Sequence, residues 1–237
     1  MPATLIDLST GQLRLALKSE DQTLTLIQYG LEDRSWLREG SLSRLFAVVV
    51  NGQTYHAGNL RLREISETAP DAGVRQMRLS FEGPGFTVDQ HIKVYRDTAL
   101  IELWPVIRSQ SALVCRVERV DSFSLDLHAP DAELLSYTGD WGSEFEPQQV
   151  SLSGEMILET RSGRSSKGRH PWFALQRGDQ AVFSGAAAWS GNWIFRFEPQ
   201  DGGGWRVSGG LHDWNFAKEL LPGQEMESPP AVLVLGG

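Results

Sequence analysis

The sequence contains almost no cysteine, with a single residue, Cys115, in 237. An internal disulfide is therefore excluded, and we expect Cys115, within the apolar run ALVCRV, to be a small buried residue. The sequence also lacks a run of 18 apolar residues, and it lacks a leader in which basic residues precede an apolar core. These features predict a cytoplasmic protein without a membrane partner.

Signatures of intrinsic catalysis and of bound cofactors are also missing. No Gly-x-Ser-x-Gly motif presents a serine nucleophile, and the five histidines occur singly, without zinc-ligand spacing. The glycine-rich DGGGW runs into a strand-like segment, so it predicts a hairpin turn instead of a phosphate-binding loop. Asp140 and Glu144 are a carboxylate pair of the kind a glycosidase uses, but chance pairs are common among 30 acidic residues. We therefore predict no catalytic residue, no cofactor and no metal site in this chain, and we leave open whether it is an enzyme.

Positive charge is scarce, with 22 Lys and Arg against 30 Asp and Glu and a formal net charge of −8. A nucleic-acid partner would need a broad basic surface, so this balance argues against one. The exception is the segment ETRSGRSSKGRHPWFALQ, from Glu159 to Gln176, in which cations collect directly before an aromatic strand. A loop attached to a rigid strand is typical of recognition, although a solvated loop is the alternative. The cations of this loop are Arg161, Arg164, Lys167 and Arg169.

Alternating apolar and polar residues run through most of the chain. In FTVDQHIKVY, from Phe86 to Tyr95, apolar residues recur at every second position, which is typical of a strand with one buried face. Turn signals such as Asn51-Gly52 separate these segments. The best helix candidate, DTALIELWPVIR, is interrupted by Pro105. We therefore predict an all-β fold, a large antiparallel sandwich of two sheets, with residues 1–237 forming a single domain.

Tryptophan is abundant, and five of the eight indoles lie between residues 172 and 214. Flat indole faces stack on the apolar face of a pyranose, while Arg, Asn and Asp side chains bond to its hydroxyls. Trp189 and Trp193 flank a Ser-Gly-Asn turn and would share a face if this run were one strand; burial in the core is the alternative. The candidate carbohydrate or interface residues are Asp140, Trp141, Arg161, Arg164, Arg169, Trp172, Trp189, Asn192 and Trp193.

Four segments in the second half of the chain resemble the N-terminal β-sandwich of glycoside hydrolase family 36, the α-galactosidases. They are YTGDWGSEFE (137–146), ETRSGRSSKGRHPWFAL (159–175), WSGNW (189–193) and LPGQEMESPPAVLVLG (221–236). The chain departs from the family pattern at Lys167, where the family has His, and at His170, where it has Asn. The Lys-Trp-Asp signature of the family's catalytic (β/α)8 barrel is absent.

This resemblance implies a supersandwich of the galactose-mutarotase-like type without its catalytic barrel. The implied role is to support that barrel, to form oligomer contacts and to contribute loop residues to galactoside binding. The implied partners are therefore a galactoside, a catalytic barrel domain or further copies of the chain. Two alternatives stay open: a freestanding carbohydrate-binding module, and a mutarotase-like enzyme in which Glu144 works with His170 or His212.

Overall fold

The computed structural model describes residues 3–32, 34–38 and 44–237 and consists mainly of antiparallel strands. The described residues contain one short helical turn, the 3₁₀ turn Asp201–Gly203. The strands are β1 (Thr4–Asp7), β2 (Leu13–Glu20), β3 (Thr23–Leu31), β4 (Arg34–Ser35), β5 (Leu45–Val50), β6 (Gln53–His56), β7 (Arg61–Thr68), β8 (Val74–Gly83), β9 (Phe86–Tyr95), β10 (Leu100–Ser109), β11 (Cys115–His128), β12 (Glu133–Asp140), β13 (Ser143–Ser151), β14 (Met156–Thr160), β15 (Gly168–Gln176), β16 (Val182–Ala187), β17 (Trp193–Gln200), β18 (Gly204–Leu211), β19 (Lys218–Leu220), β20 (Glu225–Glu227) and β21 (Ala231–Gly236). No helix among these residues is long and apolar enough to cross a membrane.

The strands form three antiparallel sheets. The largest has ten strands in the order β13-β12-β15-β16-β21-β10-β9-β8-β7, with β20 beside β10. The second has seven strands in the order β14-β17-β18-β11-β5-β6, with β19 beside β11. The all-β antiparallel sandwich predicted from the sequence is confirmed. The structure adds a third sheet, β1-β2-β3-β4, to the two that were predicted.

The alternating sequence pattern explains how these strands pack. Along β9 every second side chain is buried, including the polar Gln90 between Val88 and Ile92. The segment containing Pro105 is strand β10, which pairs with β9 along its length. Asn51 and Gly52 form the predicted tight turn between β5 and β6, both with positive φ (50° and 74°), as the two-residue hairpin turn requires.

The core lies between the sheets and is rich in phenylalanine. Phe173 of β15 contacts Phe195 and Phe197 of β17, with ring centroids 4.9 and 5.0 Å apart in edge-on geometry. These contacts join the ten-stranded sheet to the seven-stranded sheet. Cys115 is buried as predicted, and burial raises the pKa of its thiol.

Candidate functional site

The cationic loop, residues 161–167 between β14 and β15, is fastened to the core at one end of the sandwich. The Trp193 indole Nε1 donates to the carbonyl of Ser165 at 2.7 Å, and the Ser165 amide donates to the carbonyl of Ser190 at 3.1 Å. The Gly163 amide donates to Asn192 Oδ1 at 2.7 Å. Because Trp193 is fully buried, the loop is tied to the core as well as to the Ser190–Asn192 turn.

The first cation of the loop, Arg161, belongs to a hydrogen-bonded cluster. Its guanidinium donates to Glu159 Oε2 at 3.1 Å, and the same oxygen lies 2.8 Å from His212 Nε2. The Trp214 amide donates to His212 Nδ1 at 2.8 Å, which makes Nδ1 an acceptor and places the proton of the neutral ring on Nε2. Arg161 Nε also lies 3.2 Å from Nε2, but that nitrogen cannot accept while it donates to Glu159. Partial burial acts to raise the pKa of Glu159, but the bonds from His212 and Arg161 outweigh it and hold this pKa below its usual value.

A depression of about 790 Å³ opens beside this cluster; we call it the Trp189–Trp214 depression. The Trp214 ring, 50% exposed, lies 5.7 Å from the Arg161 guanidinium carbon in a cation–π arrangement. The Trp189 ring, 42% exposed, lies so close to Gly191 that a Cβ there would be 2.6 Å from the indole Nε1. The remaining lining residues are Ala188, Asn192, Leu211, His212, Asn215, Phe216, Lys218, Met226, Glu227, Ser228, Pro229 and Pro230.

A second depression, of about 460 Å³, is lined in part by the loop; we call it the hairpin depression. It is lined by residues of the β12–β13 hairpin and of the loop: Gly139, Asp140, Trp141, Glu144, Phe145, Arg164, Ser166, Lys167 and His170. Trp141 at the hairpin tip is 97% exposed, and Phe145 stacks on His170 with ring centroids 4.1 Å apart. The His170 Nε2 is buried against Gly139, where a Cβ would be 2.7 Å away.

The outer face of the ten-stranded sheet carries a largely apolar strip. Trp172, Ala186 and Val232 lie side by side on β15, β16 and β21, with Glu102 of β10 next to Val232, because these residues are paired in register. The next row is formed by Ala174, Ser184, Val234 and Leu100. Their neighbours in sequence, such as Phe173 and Leu233, point into the core. The strip therefore lies on the face that the other sheets leave uncovered.

The outer face of the seven-stranded sheet is charged instead. Asp121 on β11 is fully buried and accepts from Arg119 at 2.6 Å and from Arg196 at 3.1 Å. Arg196 also donates to Asp213 at 2.6 Å. Asp213 Oδ1 lies 3.5 Å from His212 Nδ1, so the network comes close to the Trp189–Trp214 depression; Nδ1 already accepts from the Trp214 amide and forms no hydrogen bond to this carboxylate. Each charge in the network has an opposite partner, as buried charges require.

The structure distributes the residues singled out in the sequence over several places. Trp189 and Asn192 lie at the Trp189–Trp214 depression, and Arg161 beside it; Asp140, Trp141 and Arg164 lie at the hairpin depression. Trp172 is in the apolar strip, and Arg169 is partly exposed on β15. Trp193 packs in the core. The run from Trp189 to Trp193 is not one strand, because β17 begins at Trp193, and the alternative of burial in the core holds for Trp193.

Three residues important at the site escaped the sequence analysis. Trp214 was visible only as a member of the tryptophan cluster, and Glu159 and Asn215 carried no signal. Of the two pairs considered for a mutarotase-like reaction, Glu144 and His212 line different depressions, whereas Glu144 and His170 line the same one. In the described residues no group of three or more His, Cys, Asp or Glu side chains is arranged to hold a metal ion.

Comparison with known proteins gives one family match. Residues 37–221 match the model of the glycosyl hydrolase family 36 N-terminal domain. The α-galactosidase Mel36A of Lactobacillus acidophilus is 28% identical over 147 residues, which are 60% of this chain and 20% of that protein. The crystal structure of the α-galactosidase AgaB from Geobacillus stearothermophilus superposes with a TM-score of 0.83 and 19% identity, covering all of this chain and 41% of that chain.

A fold likeness also extends to a shorter protein. The crystal structure of a putative aldose 1-epimerase from Escherichia coli superposes with a TM-score of 0.61 and 12% identity, covering 99% of both chains. At this identity the likeness concerns the fold alone. The chain thus spans about a fifth of the curated relative Mel36A, two fifths of the solved α-galactosidase structure and nearly all of this sandwich.

Proposed function

We propose that this chain, which belongs to the glycosyl hydrolase family 36 N-terminal domains, serves as the non-catalytic sandwich domain of an α-galactosidase-like protein. In this role residues 1–237 form one domain that supports a catalytic barrel and supplies subunit contacts. Its single buried cysteine fits a cytoplasmic location.

The observation that carries this proposal is the apolar strip on the ten-stranded sheet. An antiparallel strand with one face in solvent normally alternates apolar and polar residues. Strand β21 does not, because its outward residues Val232 and Val234 are apolar like its buried residues. Partly exposed apolar side chains in adjacent rows on an uncovered sheet face support a contact with another domain. Since relatives such as Mel36A are about five times longer than the matching region, the catalytic domain is the occupant we assign to it.

A fusion protein tests this assignment. This chain replaces the matching N-terminal region of Mel36A, and hydrolysis of raffinose and thermal unfolding are measured. We expect an active protein with one unfolding transition, and we expect Val234→Lys in the strip to separate the transitions and lower activity. The matched control is Gln148→Lys on the exposed strand β13, outside the strip.

The docking role would be refuted if the fusion unfolded in two independent transitions and if Val234→Lys and Gln148→Lys had the same effect on unfolding and activity. Unfolding of each variant in the isolated chain establishes that the substitution itself leaves the sandwich folded.

A second role, carbohydrate binding without a partner domain, is favoured by the Trp189–Trp214 depression. Open depressions of this size are typical of small-ligand sites, which range over ~300–1,000 Å³.

A further inference from the structure

We propose that the Trp189–Trp214 depression is a binding site for a neutral hexopyranoside, in which Trp214 is a stacking platform held in place before the ligand arrives. The site lies wholly within this chain. It therefore does not depend on the docking role, and the two proposals fail separately.

Two contacts hold Trp214 in place. Its backbone amide is bonded to the buried His212 ring, and its indole lies against the Arg161 guanidinium. Arg161 is in turn bonded to Glu159, which His212 also contacts. A platform held in this way loses little conformational freedom when a ligand stacks on it, and that loss is a main cost of binding.

A second indole, that of Trp189, lies at the same depression. Trp189 is seated on Gly191, and only a residue without a Cβ leaves room for the ring there. Asn192 follows directly and uses its side-chain oxygen to hold the loop through Gly163. The Ser-Gly-Asn turn therefore positions Trp189 and fastens the cationic loop with the same few residues.

The lining of the depression combines polar and apolar groups. Asn215, Lys218 and Glu227 supply an amide, a donor and an acceptor, and Met226 and Phe216 supply apolar surface. Among the described residues no hydrogen-bond or ion-pair partner contacts the side chains of Asn215, Lys218 and Glu227 or the indole N–H groups of Trp189 and Trp214. One cation and one anion balance each other, so the lining suits a neutral ligand with several hydroxyls and an apolar face. A hexopyranoside has this chemistry.

The hairpin depression is the internal comparison. Its indole, Trp141, is 97% exposed, and its amide is bonded only to the adjacent Asp140 side chain at 2.8 Å. A ligand that stacked on Trp141 would first have to order the ring. Trp141→Ala is thus the matched control for Trp214→Ala, since both remove an exposed indole beside the same loop.

The test is a titration of the full chain with galactose, glucose, raffinose and stachyose, followed by calorimetry and tryptophan fluorescence. We expect saturable binding of at least one sugar with a Kd of about 1 mM. Trp214→Ala should weaken it by about 10-fold or more, whereas Trp214→Phe, which keeps an aromatic face, should stay within about 3-fold. Arg161→Gln should weaken binding by about 3-fold through loss of the support under Trp214. Trp141→Ala should leave the Kd unchanged.

Three outcomes would overturn the proposal. The first is the absence of a saturable signal for all four sugars at 50-fold the expected Kd, about 50 mM. The second is binding that persists in Trp214→Ala. The third is binding that Trp141→Ala abolishes, which would place the ligand in the hairpin depression. Far-ultraviolet circular dichroism of each variant, together with the Trp214→Phe result, separates loss of binding from loss of folding.

Discussion

The two depressions beside the cationic loop contain similar residues and differ in how those residues are held. Both combine exposed aromatic rings with Arg or Lys and with carboxylates. In the Trp189–Trp214 depression, the Trp214 amide donates to His212, and Arg161, which lies against the Trp214 ring, donates to Glu159. In the hairpin depression, Trp141 stands on the turn between β12 and β13.

The difference shows that composition alone does not identify a binding site. Strand β13 is exposed along its whole length, so nothing packs over the hairpin and its rings contact mainly one another. The Trp189–Trp214 depression lies where the ends of β16, β17 and β18 converge on the core, so that buried groups reach its surface. A side chain that moves freely in the unbound protein loses conformational entropy when a ligand orders it, and this loss weakens binding. A side chain that the protein already holds in place avoids that cost.

The largest effect that separates anchored from unanchored indoles is expected for Trp193→Ala. It removes a fully buried ring and the donor to Ser165, leaving a cavity, and should lower the free energy of unfolding by about 3–5 kcal/mol. Trp141→Ala should change it by less than about 0.5 kcal/mol. Urea denaturation measures both, and similar losses in the two variants would contradict the comparison.

The ion-pair network should give the next largest effect. Arg196→Met leaves Asp121 buried with one cation and Asp213 without its arginine, and should cost about 3 kcal/mol. The matched control is Arg108→Met, which breaks the exposed pair with Glu225 and should cost about 0–1 kcal/mol. A loss for Arg196→Met no larger than that of the control would show that the network does not support the depression.

A pair of glycine substitutions tests the two close ring contacts. Gly191→Ala would force the Trp189 ring to move and Gly139→Ala the His170 ring, each at a cost of about 1–3 kcal/mol. We expect the lower value for Gly191→Ala, because the exposed Trp189 ring can turn outward, and the higher one for Gly139→Ala, where Phe145 confines His170. Unfolding midpoints and the tryptophan emission maximum measure the two effects, and the reverse order would contradict this assignment.

The smallest expected effect is the pH dependence of the Glu159 contacts. Because the folded state lowers the pKa of Glu159 below its usual 4.5, the stability that this carboxylate contributes is present above that value. It is lost as the pH falls through the lowered folded-state pKa. The difference in unfolding midpoint between the wild type and Glu159→Gln should therefore be constant from pH 7 to pH 5 and shrink toward pH 3. A difference that is unchanged at pH 3 would exclude the ionised contact.

Much of the fold could be predicted because strand patterns are local. The alternation in β9 and the Asn51-Gly52 turn each involve a few consecutive residues and are confirmed. Family membership, predicted from four short segments, is confirmed by the match over residues 37–221. The third sheet was missed, because β1–β4 show the same alternation as the other strands and the pattern does not say which strands pair.

Less of the candidate site could be predicted, because its contacts join residues distant in sequence. Glu159 and His212 are 53 positions apart, and Gly163 and Asn192 are 29 apart. Trp189 and Trp193 look equivalent in the sequence, but the start of β17 between them buries one and leaves the other at the surface.

The sequence by itself determined the class of the fold, the family and the cationic loop, since each follows from residue types at short spacings. Only the tertiary structure decided which aromatic residues are held in place. That outcome depends on which strand ends meet, because the Trp214 ring lies against Arg161, which is 53 positions earlier in the sequence. Long-range pairing of this kind is set by the packing of the whole sandwich, and residue spacing does not encode it.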